Sequence, residues 1–225
     1  MANYLAGVDL GQSSDYTAIA IVEHLERFTD RPRRQWADMH GWHSEPDIED
    51  VFHLVDLRRW RGEPYPKLVS EICRILAQPA LRGRVSLTFD ASGVGAAVED
   101  LFNAARSHGE LEQFPLGVVI TAGGESRRWQ VAKKDLISRL VVAFESGQVK
   151  VADGLPLAAT LKTELLEFRA RINAAAHTSF DAPSGKHDDL VLALALSMHW
   201  VRRVGLPNQI GKDGVLSRRD HDRIA

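Results

Sequence analysis

The sequence predicts an α/β domain built on a mixed five-stranded sheet, three antiparallel strands followed by two parallel ones, with helices against its faces. Three observations carry that expectation. Residues 5–23, LAGVDLGQSSDYTAIAIVE, hold two apolar strand patterns around Gly11-Gln12-Ser13-Ser14-Asp15, the composition of a tight turn. Beyond residue 64, helix-like and strand-like patterns alternate, as in parallel strands joined by helical crossovers. Residues 190–200, LVLALALSMHW, are apolar nearly all round, as a helix buried against a sheet must be.

Taken in order, Leu5, Val8 and Leu10 mark the first strand. The second, 16–22, is apolar on both alternating sets, Ala18, Ala20 and Val22 on one side and Ile19 and Ile21 on the other. That suits a central strand covered on both faces. Residues 25–50 are polar and irregular, with Arg31-Pro32-Arg33-Arg34 and Glu45-Pro46, and are expected to be an insertion loop between the second and third strands, with residues 35–42 open to either loop or extended structure. Residues 51–59, VFHLVDLRR, form the third strand. Pro64-Tyr65-Pro66 then opens a helix to about residue 77, with Leu68, Val69, Ile72, Ile75 and Leu76 on one face. In the fourth strand, 84–90, Val85, Leu87 and Phe89 alternate with Ser86, Thr88 and Asp90. A turn over 91–95 leads into a helix through about residue 105. The fifth strand is 116–120. Leu136, Ile137, Leu140, Val141 and Phe144 stripe the next helix, and Gly147 stops it. A further helix runs from Pro156 to about residue 168, a hairpin spans 169–181, and the apolar helix follows. Residues 1–204 read as one domain and 205–225 as a mobile tail.

Composition narrows the function. At 225 residues, one domain with a substantial core is expected. Apolar residues at 44% and charged residues at 26% are the balance of a soluble globular protein. One cysteine, Cys73, rules out a disulfide framework and a cysteine-based zinc site. No apolar run is long enough for a membrane span, and MANYLAGVDL lacks the pattern of a signal peptide. The expected location is the cytoplasm, without membrane association. A net charge of -2 excludes bulk attraction to nucleic acid but leaves room for local phosphate-binding clusters.

Asp9 is the anomaly of the first hairpin. A carboxylate within an apolar strand is costly to bury unless it is paired or holds a metal. Asp90 ends the fourth strand, and the C-terminal ends of parallel strands are where ligands bind in open α/β sheets. Asp188 and Asp189 occupy the first turn of the buried helix. One of the two can serve as its N-cap, or both can reach one site, with Asp189 slightly favoured. Several unpaired carboxylates cannot share a site without counter-charge. Oxygen donors without cysteine point to Mg²⁺ or Mn²⁺, and two such ions about 3.5–4 Å apart can activate water against a phosphodiester. Asp15 is a weaker, outer candidate or an ordinary turn aspartate. Lys186 suits a phosphate contact, while His187 reads as structural. Gly185-Lys186 is not a phosphate-binding loop, since His187 stands where Ser or Thr is needed. Arg58, Arg59, Arg127, Arg128, Lys133 and Lys134 are a solvated basic surface or, if the chain is a nuclease, candidates to hold DNA phosphates without reading sequence.

The segments VDLGQSSDYTAIAIVE, FHLVDLRRWRGEPYPKLVSEICRIL, LTFDASGVGAAVEDLF, AKKDLISRLVVAFESGQVKVA and SGKHDDLVLALALSMHW, in this order, resemble the nuclease domain of tailed-phage terminase large subunits, within the RNase H-like superfamily that includes RuvC-type resolvases. The resemblance covers about residues 4–200. It implies an RNase H-like fold and a metal-dependent endonuclease that cuts concatemeric viral DNA during packaging. It also implies two divalent ions held at Asp9, Asp90 and Asp188/Asp189, and a hairpin at 169–181 near the DNA path. The partners it implies are double-stranded DNA, a packaging ATPase domain, a terminase small subunit and a portal, in the host cytoplasm. Family members carry an N-terminal ATPase that these residues do not match, so motor activity is not expected from them. The chain is then an excised domain or a free-standing nuclease.

Three other readings differ in class. A RuvC-like nuclease would be selective for DNA structure. An actin-like ATPase or sugar kinase shares the opening hairpin but needs a second glycine-rich phosphate loop, for which Gly123-Gly124 is too little. A non-catalytic module docking on DNA or the portal should have lost at least one of the four aspartates.

Overall fold

The first hairpin forms where the apolar alternation places it, with β1 (Asn3–Asp9) and β2 (Tyr16–Phe28) paired antiparallel and Asp9 opposite Ala18. The computed structural model describes residues 3–11, 15–31, 34–39, 41–45, 47–123, 129–174, 187–199 and 201. A small hairpin, β3 (Arg34–Asp38) and β4 (Gly41–Glu45), precedes β5 (Ile48–Arg61), which pairs antiparallel with β2. Then follow α1 (Tyr65–Leu76), β6 (Val85–Asp90), α2 (Gly95–Ser107), β7 (Pro115–Thr121), β8 (Gln130–Ala132) and α3 (Lys133–Glu145). The order closes with β9 (Val149–Val151), α4 (Ala158–Ala174) and α5 (Asp189–Ser197).

The main sheet runs β8-β7-β6-β1-β2-β5-β9. Its middle five strands are the expected mixed sheet, with β1, β2 and β5 antiparallel and β6 and β7 added in parallel. Two three-residue strands, β8 and β9, extend the edges in parallel. Two expectations are corrected. Residues 25–50 are not simply a loop: β2 runs on to Phe28, β3 and β4 form their own hairpin, and β5 begins at Ile48. Arg169–Ala174 continues α4 instead of starting a hairpin. Residues 175–181, with the rest of that expected hairpin, and the tail 205–225 lie outside the described residues.

Strand alternation divides the core into two layers. Ala6, Val8, Leu10, Ile19, Ile21, Leu87 and Phe89 pack under α1 and α2. Leu5, Ala18, Ala20, Val22, Leu54 and Leu57 face α3, α4 and α5. Every residue of α5 is buried, which explains its unbroken apolar sequence. Gly7 lets α5 lie directly on β1, because a Cβ there would sit 2.0 Å from the Ala193 carbonyl oxygen and 2.3 Å from Ser197 N. No helix among the described residues is long and apolar enough to cross a membrane.

One irregularity in β5 matters for the site. Ile21 pairs with Asp56 but Val22 pairs with Leu54, so Val55 is an extra residue in β5. A bulge of one residue reverses which side chains face which layer beyond it. It brings Arg59 opposite Ala18, on the layer that contains α5. Without it, Arg58 would take that place.

Candidate active site

Register builds the site. Val8 of β1 pairs with Phe89 of β6, so the next residues, Asp9 and Asp90, lie side by side at the C-terminal ends of adjacent parallel strands. Asp9 lies opposite Ala18, and Ala18 opposite Arg59. Asp90, Asp9, Ala18 and Arg59 therefore form a row across four strands on one face. The docking of α5 along β1, made possible by Gly7, brings the start of that helix over the row, with Asp188 as N-cap residue and Asp189 first in the helix.

The electrostatics agree with this placement. Asp9 is 9% exposed. Burial, and then the charges of Asp90, Asp188 and Asp189, push its carboxyl well above the ordinary range, with Lys133 pulling the other way. Asp90 is raised mainly by burial, against hydrogen bonds that stabilise its charge. Ser92 N donates to Asp90 Oδ1 at 2.8 Å, and Ser92 Oγ is itself fixed by Ile120 N at 2.9 Å. Asp188 makes no side-chain cap bond to its helix; its Oδ2 lies 3.0 Å from Lys133 Nζ instead. Asp189 is buried and raised by burial, against its bond from Arg59.

Glu164, on α4, belongs to this cluster and was not picked out from the sequence. It is 6% exposed. Burial, and then Asp189, push its carboxyl up to about 7, opposed by Arg59. The signal was present: Glu164 interrupts the stripe formed by Leu161 and Phe168, at spacings of three and four residues.

The basic candidates separate. Arg59 and Lys133, expected to face DNA, are instead mostly buried counter-charges inside the cluster, each side chain 13% exposed. Arg59 lies in that layer because of the bulge, and its guanidinium sits 3.8 Å from the Tyr16 ring centroid. Tyr16 also meets His187 edge-on at 4.8 Å. Arg58 is bonded to Asp56 through Nε and Nη2, at 3.0 and 2.8 Å. Lys134 is exposed. Arg127, Arg128 and Lys186 lie outside the described residues. Asp15 is exposed and lines a separate cavity of about 340 Å³ with Gly11, Thr17, Trp60 and Tyr65.

Five carboxylates thus share this space with two cationic side chains. Such a deficit fits a hard cation held by oxygen donors. Among the described residues, Asp189 Oδ2 is buried with no hydrogen-bond partner, which leaves a carboxylate oxygen for a ligand. As the side chains stand, no group of three or more His, Cys, Asp or Glu among the described residues is arranged to hold a metal ion. The donor chemistry, oxygen atoms of several carboxylates with too few cations beside them, fits a divalent ion.

No family model matches the chain. Two curated relatives align over 194 residues, or 86% of the chain: the terminase large subunits of Thermus virus P23-45, at 25% identity, and of Thermus phage G20c, at 24%. The chain spans about a third of their length, 31% in each case. Among solved structures, the large terminase nuclease of thermophilic phage G20c superposes with a TM-score of 0.51 at 23% identity, covering 88% of this chain and 82% of that one. The nuclease domain of the P22 large terminase gives 0.50 at 14% identity, covering 90% and 82%. These structural neighbours are terminase nuclease domains, and the chain has their RNase H-like mixed α/β fold.

Proposed function

We propose that this chain is a metal-dependent DNA endonuclease of the terminase large subunit kind, cutting concatemeric viral DNA during genome packaging. The observation that carries the proposal is the convergence of Asp9, Asp90, Asp188 and Asp189 at the C-terminal ends of β1 and β6, with more carboxylates than nearby cations. The likeness to terminase large subunits over 86% of the chain supports the same reading. Those four aspartates would hold the ions. Two bound Mg²⁺ or Mn²⁺ ions would supply activation of a water and stabilisation of the leaving oxygen of a phosphodiester.

The chain's own contribution is placement. Ser92 orients Asp90. The packing of α5 on Gly7 sets Asp188 and Asp189 over Asp9. Lys133, 3.0 Å from Asp188, would serve as a point charge for the scissile phosphate. Contacts to the rest of the DNA backbone fall to Lys134, Lys186, Arg127 and Arg128. A packaging ATPase domain, a small subunit and a portal are the partners this function requires.

That no three acidic side chains already form a metal cage among the described residues favours one second reading, a docking module that binds DNA without cutting it. Incubation of supercoiled plasmid with Mn²⁺, Mg²⁺ or EDTA separates the two. The nuclease reading expects nicking that needs metal and falls by more than about 100-fold in Asp90→Ala, beyond what outer partners of a metal ligand are worth. Binding without nicking in either metal would leave the docking module.

A further inference from the structure

Asp189 is held from one side only. Arg59 Nη2 lies 2.5 Å from Asp189 Oδ1 and 3.1 Å from Glu164 Oε1. A single guanidinium nitrogen on β5 is thus shared between carboxylates on α5 and α4. Stacking on Tyr16 sets the depth of that guanidinium. Glu164 Oε2 accepts a hydrogen bond from Leu190 N at 3.1 Å, so Glu164 is bonded to the first turn of α5 and faces the arginine as an ion pair. Among the described residues, the other oxygen of Asp189, Oδ2, is buried without a hydrogen-bond partner, as are Arg59 Nε, Glu164 Oε1 and Asp188 Oδ2.

Arginine–carboxylate pairs are frequently bidentate, with two parallel N–H bonds occupying both oxygens. That arrangement is absent at Asp189, where the same guanidinium nitrogen also lies 3.1 Å from Glu164 Oε1. A buried carboxylate oxygen without a partner is costly unless something else binds it.

We propose that Glu164 is a positioning residue that, by competing for Arg59, prevents a two-oxygen grip on Asp189 and so reserves Asp189 Oδ2 for a bound divalent cation. The inference rests on the metal-centre reading above and deepens it by giving Asp189 one ligating atom and naming what keeps that atom free. Arg59 is the other half of the device. It fixes Asp189 Oδ1 and limits the rotation open to the side chain.

The test is calorimetric titration of Mn²⁺ into the full metal-free chain. Glu164→Gln keeps the size of the side chain and an oxygen for Leu190 N, but removes the charge that competes for Arg59. Arg59 is then free to take both oxygens of Asp189, and Mn²⁺ affinity is expected to fall about 10- to 100-fold. Adding Arg59→Lys to that variant replaces the fork with a point charge and should recover much of the affinity. A merely structural Glu164 would not be rescued in this way. If Glu164→Gln does not fold, Glu164→Asp, which draws the charge back from Arg59 while staying acidic, should lose Mn²⁺ affinity in the same direction and be rescued by Arg59→Lys in the same way. Unchanged affinity in the Glu164 variant, or a double variant no better than the single, would each overturn the clamp while the metal centre stands. A wild type that takes up no Mn²⁺ would overturn both together.

Discussion

Asp9 is where folding and chemistry conflict most directly. Its carboxyl is buried in a strand core and faces three other aspartates, so ionising it opposes folding. The sign follows from linkage. At low pH both folded and unfolded chains carry the proton, and the site is harmless. As pH rises from about 3.8, the unfolded chain releases its proton first, and the metal-free fold becomes progressively less stable relative to it. Asp9→Asn removes that effect. In the metal-free protein near pH 8, the variant should be more stable by about 1–2 kcal/mol, a rise in melting temperature of roughly 2–8 °C at this chain size. The gain should vanish near pH 4. Thermal melts across that range in EDTA check it, and equal melting temperatures at both pH values would show that Asp9 is not held as an uncompensated charge.

At the scale of elements, the site depends on two backbone features. Gly7 lets α5 approach β1, and the extra residue Val55 turns Arg59 toward that helix. Gly7→Ala would place a methyl group against the Ala193 carbonyl and force α5 away from Asp9. A loss of about 1–3 kcal/mol or more in urea unfolding is expected, together with weakened Mn²⁺ binding; wild-type values for both would mean that α5 does not dock as described. These features explain what the sequence could and could not show. The antiparallel opening, the alternation of β6 and the all-apolar α5 were legible because burial imposes a period on each. Asp9, Asp90 and the Asp188-Asp189 pair were legible because carboxylates are out of place in apolar elements. The strands β8 and β9, at three residues each, are too short to show a period. The end of α4 was misread as a hairpin because residues 169–174, RARINA, alternate polar and apolar as a strand does, while the helix continues to Ala174. The exchange of Arg58 for Arg59 depends on a bulge that no local pattern announces. Glu164 was overlooked because one polar residue on an apolar stripe is usually a solvated edge.

For the whole molecule, the arrangement is a sheet covered on both faces with an electronegative centre at one end of its middle strands. The net charge of -2 means that DNA is not drawn by the molecule as a whole. On the proposed reading, attraction would come from exposed cations around the cluster and from metal ions that reverse its sign. The same negative charge that destabilises the metal-free centre would attract those ions, so the fold and the proposed activity would depend on the same carboxylates. If this centre binds divalent metal between β1, β6 and α5, anomalous scattering from crystals grown with Mn²⁺ should show two strong peaks bounded by Asp9, Asp90, Asp188 and Asp189, with Asp189 contributing Oδ2 alone and Arg59 still on Oδ1. Crystals that diffract well and show no peak at these carboxylates, or Mn²⁺ bound only elsewhere, would refute the metal centre.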